Sequence, residues 1–447
     1  MSGRHHWLFL IAGSLSLAAG QWLTLWLLAR TAPPETVGLY GLAVAWAAPL
    51  CALSALQLRS LMATETHLEA RFPVYLRLRA LAIAGLIIAL LPLFLVNLPG
   101  FGTGALLAAV AAWRVVELGS DFTDGLRHRE RSYFALGVSQ SCRSVAAFAI
   151  FAISFLSGQS LVASLLAAAC SALGCALMVD LPVLRRHWIA TRTSASPSDG
   201  SVPIPDPSIP AKANSMHGIL IFAVPLAMVQ FLNLGVIALP RLLLGAFSSL
   251  DEVASFTCLV SLLSVSSLLA SAYTASLAPE FADALHSQHQ AATSLNLAAA
   301  RSLLLRAGRR VGLGSLPLVL LLAVAGAPLL RAIYGQGIAF PRWSIGFMAL
   351  FAALWSLAAV FGTAATAGRR IGIQLAAFGL ALASAGVAGL IWIPVHGVDG
   401  ATASLLVAAT VLLSSYLFYF RRFWLPGPWA MASLPDEAKP QTTWGSA

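Results

Sequence analysis

Arg114, Glu117, Ser120, Asp121, Gln140 and Arg143 interrupt otherwise apolar sequence between Trp113 and Arg143. An ionisable side chain at membrane depth costs about 2.5–3.5 kcal/mol on insertion scales, so one that sits there usually lines a pathway or a site. Arg114, Glu117 and Asp121 stand three and four residues apart and therefore share one face of a helix. Arginine in such a place favours an anion, because the guanidinium stays protonated and its planar fork matches two phosphate oxygens. The expected chemistry is capture of a phosphorylated cargo in a wet cavity lined by Arg114, Glu117, Asp121, Gln140 and Arg143. A second reading stands beside it: Glu117 and Asp121 pair with Arg114 and Arg143, locking two helices and leaving nothing for a ligand.

Arg30 closes the first apolar segment, and Arg241 follows Pro240 while Leu242–Phe247 after it is still apolar. These are the candidates for an outer gate that contacts a departing phosphate, with snorkelling to the outer surface as the plainer alternative. Nothing in the chain suggests a metal centre or a nucleophile. The cysteines lack ligand spacing and read as small packing residues. The histidines lie outside or at the edges of apolar spans, which argues against a histidine proton relay. No glycine loop with a lysine cradles a nucleotide phosphate, so no ATPase is built in. No cofactor is expected; H+ or Na+ coupling through Glu117 or Asp121 stays open beside a purely ion-paired role.

The elements that must position these residues follow from composition. Of 447 residues, 59% are hydrophobic and 10% charged, which marks a polytopic membrane protein. Apolar segments cover residues 7–29, 37–58, 80–98, 104–124, 133–156 and 161–181, then 218–240, 253–277, 311–330, 343–367, 371–393 and 400–420. The first is too long for a signal peptide and reads as an uncleaved helix. With a cytoplasmic N-terminus, only Arg30, Arg241, Arg331 and Arg342 of the 27 basic residues face outward, and Arg114 and Arg143 lie within. All the others fall on the cytoplasmic side, so both termini are expected there. The net charge of +10 thus reflects orientation rather than nucleic-acid binding.

Residues 191–215 are rich in Ser and Pro without an apolar period and read as a linker. The expected organisation is a six-helix lobe over 1–182, a flexible cytoplasmic linker over 183–215, a second six-helix lobe over 216–420, and a disordered cytoplasmic tail over 421–447. The lobes show weak self-similarity at an offset of 216, with Glu35–Tyr40 lying over Asp251–Phe256. Six spans per lobe make the repeat parallel, about an axis along the membrane normal, with substrate expected at the midplane between lobes. Glu65–Arg79 and Phe281–Arg310 mix apolar and basic residues at helical spacing and read as surface-lying helices, with anionic-lipid binding as the sharper alternative.

Arg114-x-x-Glu117-x-x-Ser120-Asp121, Gly125-Leu126, Glu130-Arg131, Ser139 and Arg143 resemble the fourth and fifth helices of bacterial O-antigen and exopolysaccharide-unit flippases. Those proteins form the polysaccharide branch of the multidrug/oligosaccharidyl-lipid/polysaccharide exporter superfamily. Leu28-Ala29-Arg30, Pro34-Glu35-x-Val37-Gly38-Leu39-Tyr40, Val224-Pro225-Leu226, Pro240-Arg241 and Ala278-Pro279-Glu280-Phe281 are similar to the same family. Arg127 and His128 depart from it where members often carry glutamine, and Glu280 stands where a basic residue is expected. The resemblance implies an all-α, V-shaped bundle of about twelve transmembrane helices in the bacterial inner membrane. It also implies a polyprenyl-diphosphate-linked oligosaccharide as cargo, moved from the cytoplasmic to the periplasmic leaflet. Membrane lipids and proteins of a polymerase or export complex are the implied partners. A multidrug antiporter of the same superfamily would need an acidic or aromatic cavity. A membrane glycosyltransferase or polymerase would need catalytic carboxylates on a sizeable external loop; only Glu35, Asp251, Glu252 and Asp399 are outside, so no enzymatic activity is expected.

Overall fold

The computed structural model describes residues 6–64, 68–96, 103–194, 216–261, 270, 273–274, 277, 280–281, 294–368 and 370–421. All regular structure among them is helical. The N-terminal half contains α1 (His6–Thr31), α2 (Pro34–Ala55), α3 (Leu58–Thr64), α4 (Leu68–Val96), α5 (Thr103–Arg129), α6 (Tyr133–Leu156), α7 (Leu161–Val179) and α8 (Leu181–Ser194). The C-terminal half contains α9 (Met216–Phe247), α10 (250–261), α11 (Ser294–Tyr334), α12 (Arg342–Ala367) and α13 (Ile371–Phe420). Nine helices among the described residues are long and apolar enough to cross a membrane, so the chain is a multi-pass membrane protein.

Four elements differ from the expected segments. The 50-residue α13 breaks at Gly397, whose φ of 52° and ψ of −124° interrupt the helix and restore the two separate spans read from the sequence. Pro394 precedes the break, and the Glu252 carboxylate packs so closely over Gly397 that a Cβ there would collide with it. The stretch Leu68–Arg79 is the first part of α4, continuous with the third span, rather than a separate surface helix. Likewise Ser294–Arg310 runs straight into the ninth span as α11. The start of the expected linker forms α8, whereas residues 195–215 and the tail beyond Arg421 lie outside the described residues, as do Ala278 and Pro279.

In the N-terminal half α1 packs on α6, α6 on α7, α7 on α5 and α5 on α2. In the C-terminal half α9 packs on α13, α13 on α12 and α12 on α11. One apolar core runs through both halves, from Leu28 and Phe151 to Phe351 and Tyr416. A smaller core of Leu58, Met62, Phe72, Phe122, Leu126 and Ile219 lies where α3, α4 and α5 meet the start of α9.

The halves meet along α2 and α9, with α10 beside them. Gly41 on α2 packs directly on Thr257 of α10; a Cβ built on it would overlap the threonine hydroxyl. The offset of 216 that aligns the halves makes these two positions equivalents of each other. The seam therefore brings together two positions that the sequence repeat aligns. Gly38 makes a similarly close approach to the Leu250 backbone at the same seam.

Overpacking such a seam typically destabilises by about 1–3 kcal/mol. Gly41→Ala is therefore expected to lower the melting temperature of the detergent-purified protein. Thr257→Ala in the same chain should recover most of the loss, because it removes the atoms in conflict. A Gly41→Ala protein that melts with the parent would refute this account of the seam.

Candidate functional site

In the N-terminal half, charged residues from α3, α5 and α6 line one cavity. On α5 the spacing of three, four and three places Arg114, Glu117, Asp121 and Asp124 along one face. At 1.5 Å per residue this stripe covers about 15 Å of the helix. A cavity of about 180 Å³ lies against it, and its lining includes Gln21, Arg59, Glu117, Asp121, Asp124 and Arg143. A smaller recess continues from it past Gln21, Trp113 and Glu117 to Arg114 and Tyr40.

Three clusters of charge surround this space. In the first, Arg114 donates to Glu117 at 2.6 Å, and Gln21 Nε2 donates to the same carboxylate at 3.2 Å. Both charged side chains remain partly exposed, at 23% and 29%. In the second, Arg143 reaches Asp124 at 2.9 Å and Asp180 at 2.8 Å, while Arg127 reaches Asp180 at 2.7 Å and Asp124 at 3.5 Å. Ser139 accepts from both arginines and donates to Asp180, and Gln140 donates to Asp124 at 2.9 Å. Every charged member of this tetrad is almost wholly buried. Its charges balance, and its hydrogen bonds satisfy most of the polar atoms, the condition under which buried ions are tolerated. The third cluster joins Arg59 and Arg79 to Asp121, at 3.7 and 3.2 Å.

The backbone positions this third cluster deliberately. Leu56 and Gln57 both have φ of +48°, a left-handed conformation that costs an ordinary residue roughly 1–2 kcal/mol. The break ends α2 and starts α3 one residue later, turning Arg59 toward α5. Gly125 admits it there: a Cβ at that position would lie 3.1 Å from the Arg59 Cα. Arg79 comes from α4 and rests over the Phe122 ring at 5.9 Å.

Of the sequence-derived candidates, Arg114, Glu117, Asp121, Gln140 and Arg143 all lie around the cavity or directly behind it. The pairing differs from either simple expectation. Glu117 holds Arg114, but Asp121 is bonded to Arg59 and Arg79, and Arg143 is held by Asp124 and Asp180. Arg30 and Arg241 line neither recess and instead bridge the halves at the opposite end of α2 from Arg59. Arg30 donates to the Ile333 carbonyl at 2.8 Å and also to that of Ala332, covering the last turn of α11. Trp22 donates to the Tyr334 hydroxyl at 3.0 Å beside it. Arg241 is buried, donates to the Gly41 carbonyl at 3.3 Å and lies over Phe256 at 5.9 Å.

Asp124, Asp180, Arg127, Arg59 and Arg79 escaped the sequence reading of the site. Asp124 continues the three-and-four spacing of α5 by one more turn, a signal present in the sequence. Asp180 stands alone at the junction of α7 and α8, where spacing says nothing of its partners. No group of three or more metal-ligating side chains occurs among the described residues.

A family model described as "Polysaccharide biosynthesis protein" matches residues 5–285. No curated protein matches the sequence significantly. Among solved structures, the chain is similar to "Lipid II flippase MurJ, inward closed conformation", with a TM-score of 0.63 at 12% identity over 93% of this chain and 87% of that one. It is also similar to a MATE transporter, VcmN, from Vibrio cholerae in the bent form (TM-score 0.52, 15% identity, 93% of this chain and 94% of that one). A MOP superfamily transporter from Pyrococcus furiosus gives a TM-score of 0.54 at 12% identity over 93% and 94%. At these identities the matches establish a shared fold.

Removing one partner from a buried ion cluster costs about 3–5 kcal/mol, against about 1 kcal/mol or less for a part-exposed pair. Asp180→Asn is therefore expected to abolish or sharply reduce folded protein, and Glu117→Gln to change the melting temperature little. Comparing the two melts in detergent checks the ranking; equal destabilisation would contradict it.

Proposed function

From the premise that the chain belongs to the polysaccharide biosynthesis protein family, we propose that it is a flippase for polyprenyl-diphosphate-linked oligosaccharide units. In this reading it carries them from the cytoplasmic to the periplasmic leaflet of the bacterial inner membrane, for surface or exopolysaccharide synthesis. The observation that carries the reading is a polar, arginine-bearing cavity inside a bundle of membrane-spanning helices. A lipid-linked diphosphate needs that combination: cations and water for the headgroup, and bilayer for the tail.

The charge bias of the loops supports a cytoplasmic location for the Arg59 end, where cargo loads, and a periplasmic location for the Arg30 end. The cargo then meets Arg59 first, beside Asp121, and Arg114 deeper along α5, seven residues from Asp121 and so about 10 Å away at 1.5 Å each. The cavity of about 180 Å³ is smaller than the roughly 300–1,000 Å³ that encloses a drug-sized ligand. It suits a diphosphate, while the sugars occupy space that widens as the halves rock between openings. An antiporter for cationic drugs fits less well, because Glu117 and Asp121, the acids most open to the cavity, are both held by arginines. Likeness in fold to a lipid II flippase agrees with a lipid-linked cargo without naming its glycan.

Deleting the gene is expected to accumulate lipid-linked oligosaccharide facing the cytoplasm and to remove surface polymer. Mass spectrometry of the lipid extract identifies the glycan; unchanged surface polymer would sink the proposal. Arg114→Lys keeps the charge but loses the planar fork, and is expected to reduce export several-fold at unchanged protein level, measured as surface polymer per cell.

A further inference from the structure

The arginines around the cavity outnumber the carboxylates among the described side chains, and the surplus is localised. Among the described side chains, Arg114 and Glu117 neutralise each other, and so do the two arginines and two aspartates of the buried tetrad. Arg59 and Arg79 share the single carboxylate of Asp121. One positive charge is therefore left over at this triad. Arg79 is 3% exposed, and its Nε and Nη1 have no hydrogen-bond partner. An orphaned guanidinium edge beside a shared carboxylate leaves the electrostatic demand of the cluster unmet.

The triad also opens to the cavity. Arg59 and Asp121 line it, each with 31% of its side chain exposed, and they approach only to 3.7 Å. Asp124, the other acid close to this wall, is occupied by Arg143 and Gln140 at 2.9 Å each. Arg59 is thus the cavity cation with the weakest hold on a counter-ion, and the strained break at Leu56 and Gln57 is what aims it there.

We propose that Arg59, Asp121 and Arg79 form an anion-exchange site, in which Asp121 is a placeholder that a phosphate group displaces from Arg59. A phosphate offers more charge and more acceptor oxygens than one carboxylate and takes a guanidinium bidentately. On its arrival Asp121 stays with Arg79, so neither the buried cation nor the carboxylate is stranded. On its departure Asp121 returns to Arg59, which keeps the empty cavity from holding a bare cation. This deepens the flippase reading, resting on it for the identity of the cargo but not for the binding itself.

The test measures binding of inorganic pyrophosphate and of farnesyl diphosphate to the full-length protein in a neutral detergent, followed by calorimetry, with farnesol as the phosphate-free arm. Arg59→Gln should weaken both phosphate probes at least tenfold. Asp121→Asn should tighten them, because the competitor is neutralised. Equal affinity for the two probes assigns the site to phosphate from any source; tighter farnesyl diphosphate assigns it to a lipid-linked headgroup. Unchanged affinity in Arg59→Gln, weaker binding in Asp121→Asn, or equally tight farnesol overturns the proposal. Should Asp121→Asn fail to fold, Arg59→Lys decides: loss of the fork should weaken binding measurably, and parental affinity overturns the site. If pyrophosphate binding depends on Arg59 while the deletion strain keeps its surface polymer, the transport reading falls and the site stands. If binding ignores Arg59 while that strain accumulates lipid-linked glycan, the site falls and the transport reading stands.

Discussion

Neutralisation of charge inside a low-dielectric bundle is the constraint on which the N-terminal half depends. A guanidinium or carboxylate buried there without a partner would cost several kcal/mol, enough to consume much of the stability of a typical domain. The chain meets this by drawing partners from different helices: Asp124 and Arg127 from α5, Arg143 from α6, Asp180 from the α7–α8 junction. Apart from Arg127–Asp124, which lies within α5, each ion pair of this tetrad is therefore also a tertiary contact. The tetrad fixes how α5, α6 and α7 sit against one another, and so fixes the wall against which the cavity forms. The part-exposed charges, Arg114, Glu117, Arg59 and Asp121, are held on that rigid support and remain in touch with water.

The seam between the halves obeys a different rule. Gly38 and Gly41 bring α2 close to α10, and small residues at such a crossing let backbones approach without side-chain entropy being spent. Gly41 and Thr257, which the repeat offset aligns, meet at this seam toward the Arg30 end of α2. The halves are therefore packed tightly at that end, while the polar cavity lies toward the Arg59 end.

Much of this was legible in the sequence, and the rest was hidden for identifiable reasons. Hydropathy and turn residues gave the segments, and the break at Gly397 falls between two of them. The stripe Arg114, Glu117, Asp121 is visible as three-and-four spacing, and its resemblance to a polysaccharide-unit flippase pointed to the right family. Arg59, Arg79 and Arg127 were sorted with the cytoplasmic arginines, because a count by loop sees only charge sign and span edges. It cannot distinguish an arginine that reaches water from one that turns inward beneath the end of a helix. The partners of Arg143 were equally hidden: Asp180 is 37 residues away, and only the packing of α6 on α7 brings it close. Helix continuity through Leu68–Arg79 also overrode an amphipathic pattern that, read locally, suggested a helix lying on the surface.

The fastening at the far end of the molecule is made differently from the ion clusters. Arg30 grips the Ala332 and Ile333 carbonyls, and Trp22 and Ser261 meet the Tyr334 hydroxyl; among the described residues no carboxylate takes part. The acceptors are neutral carbonyls and a hydroxyl rather than an opposed ion. Parting the halves here exchanges hydrogen bonds to protein for hydrogen bonds to water and leaves no acid stranded.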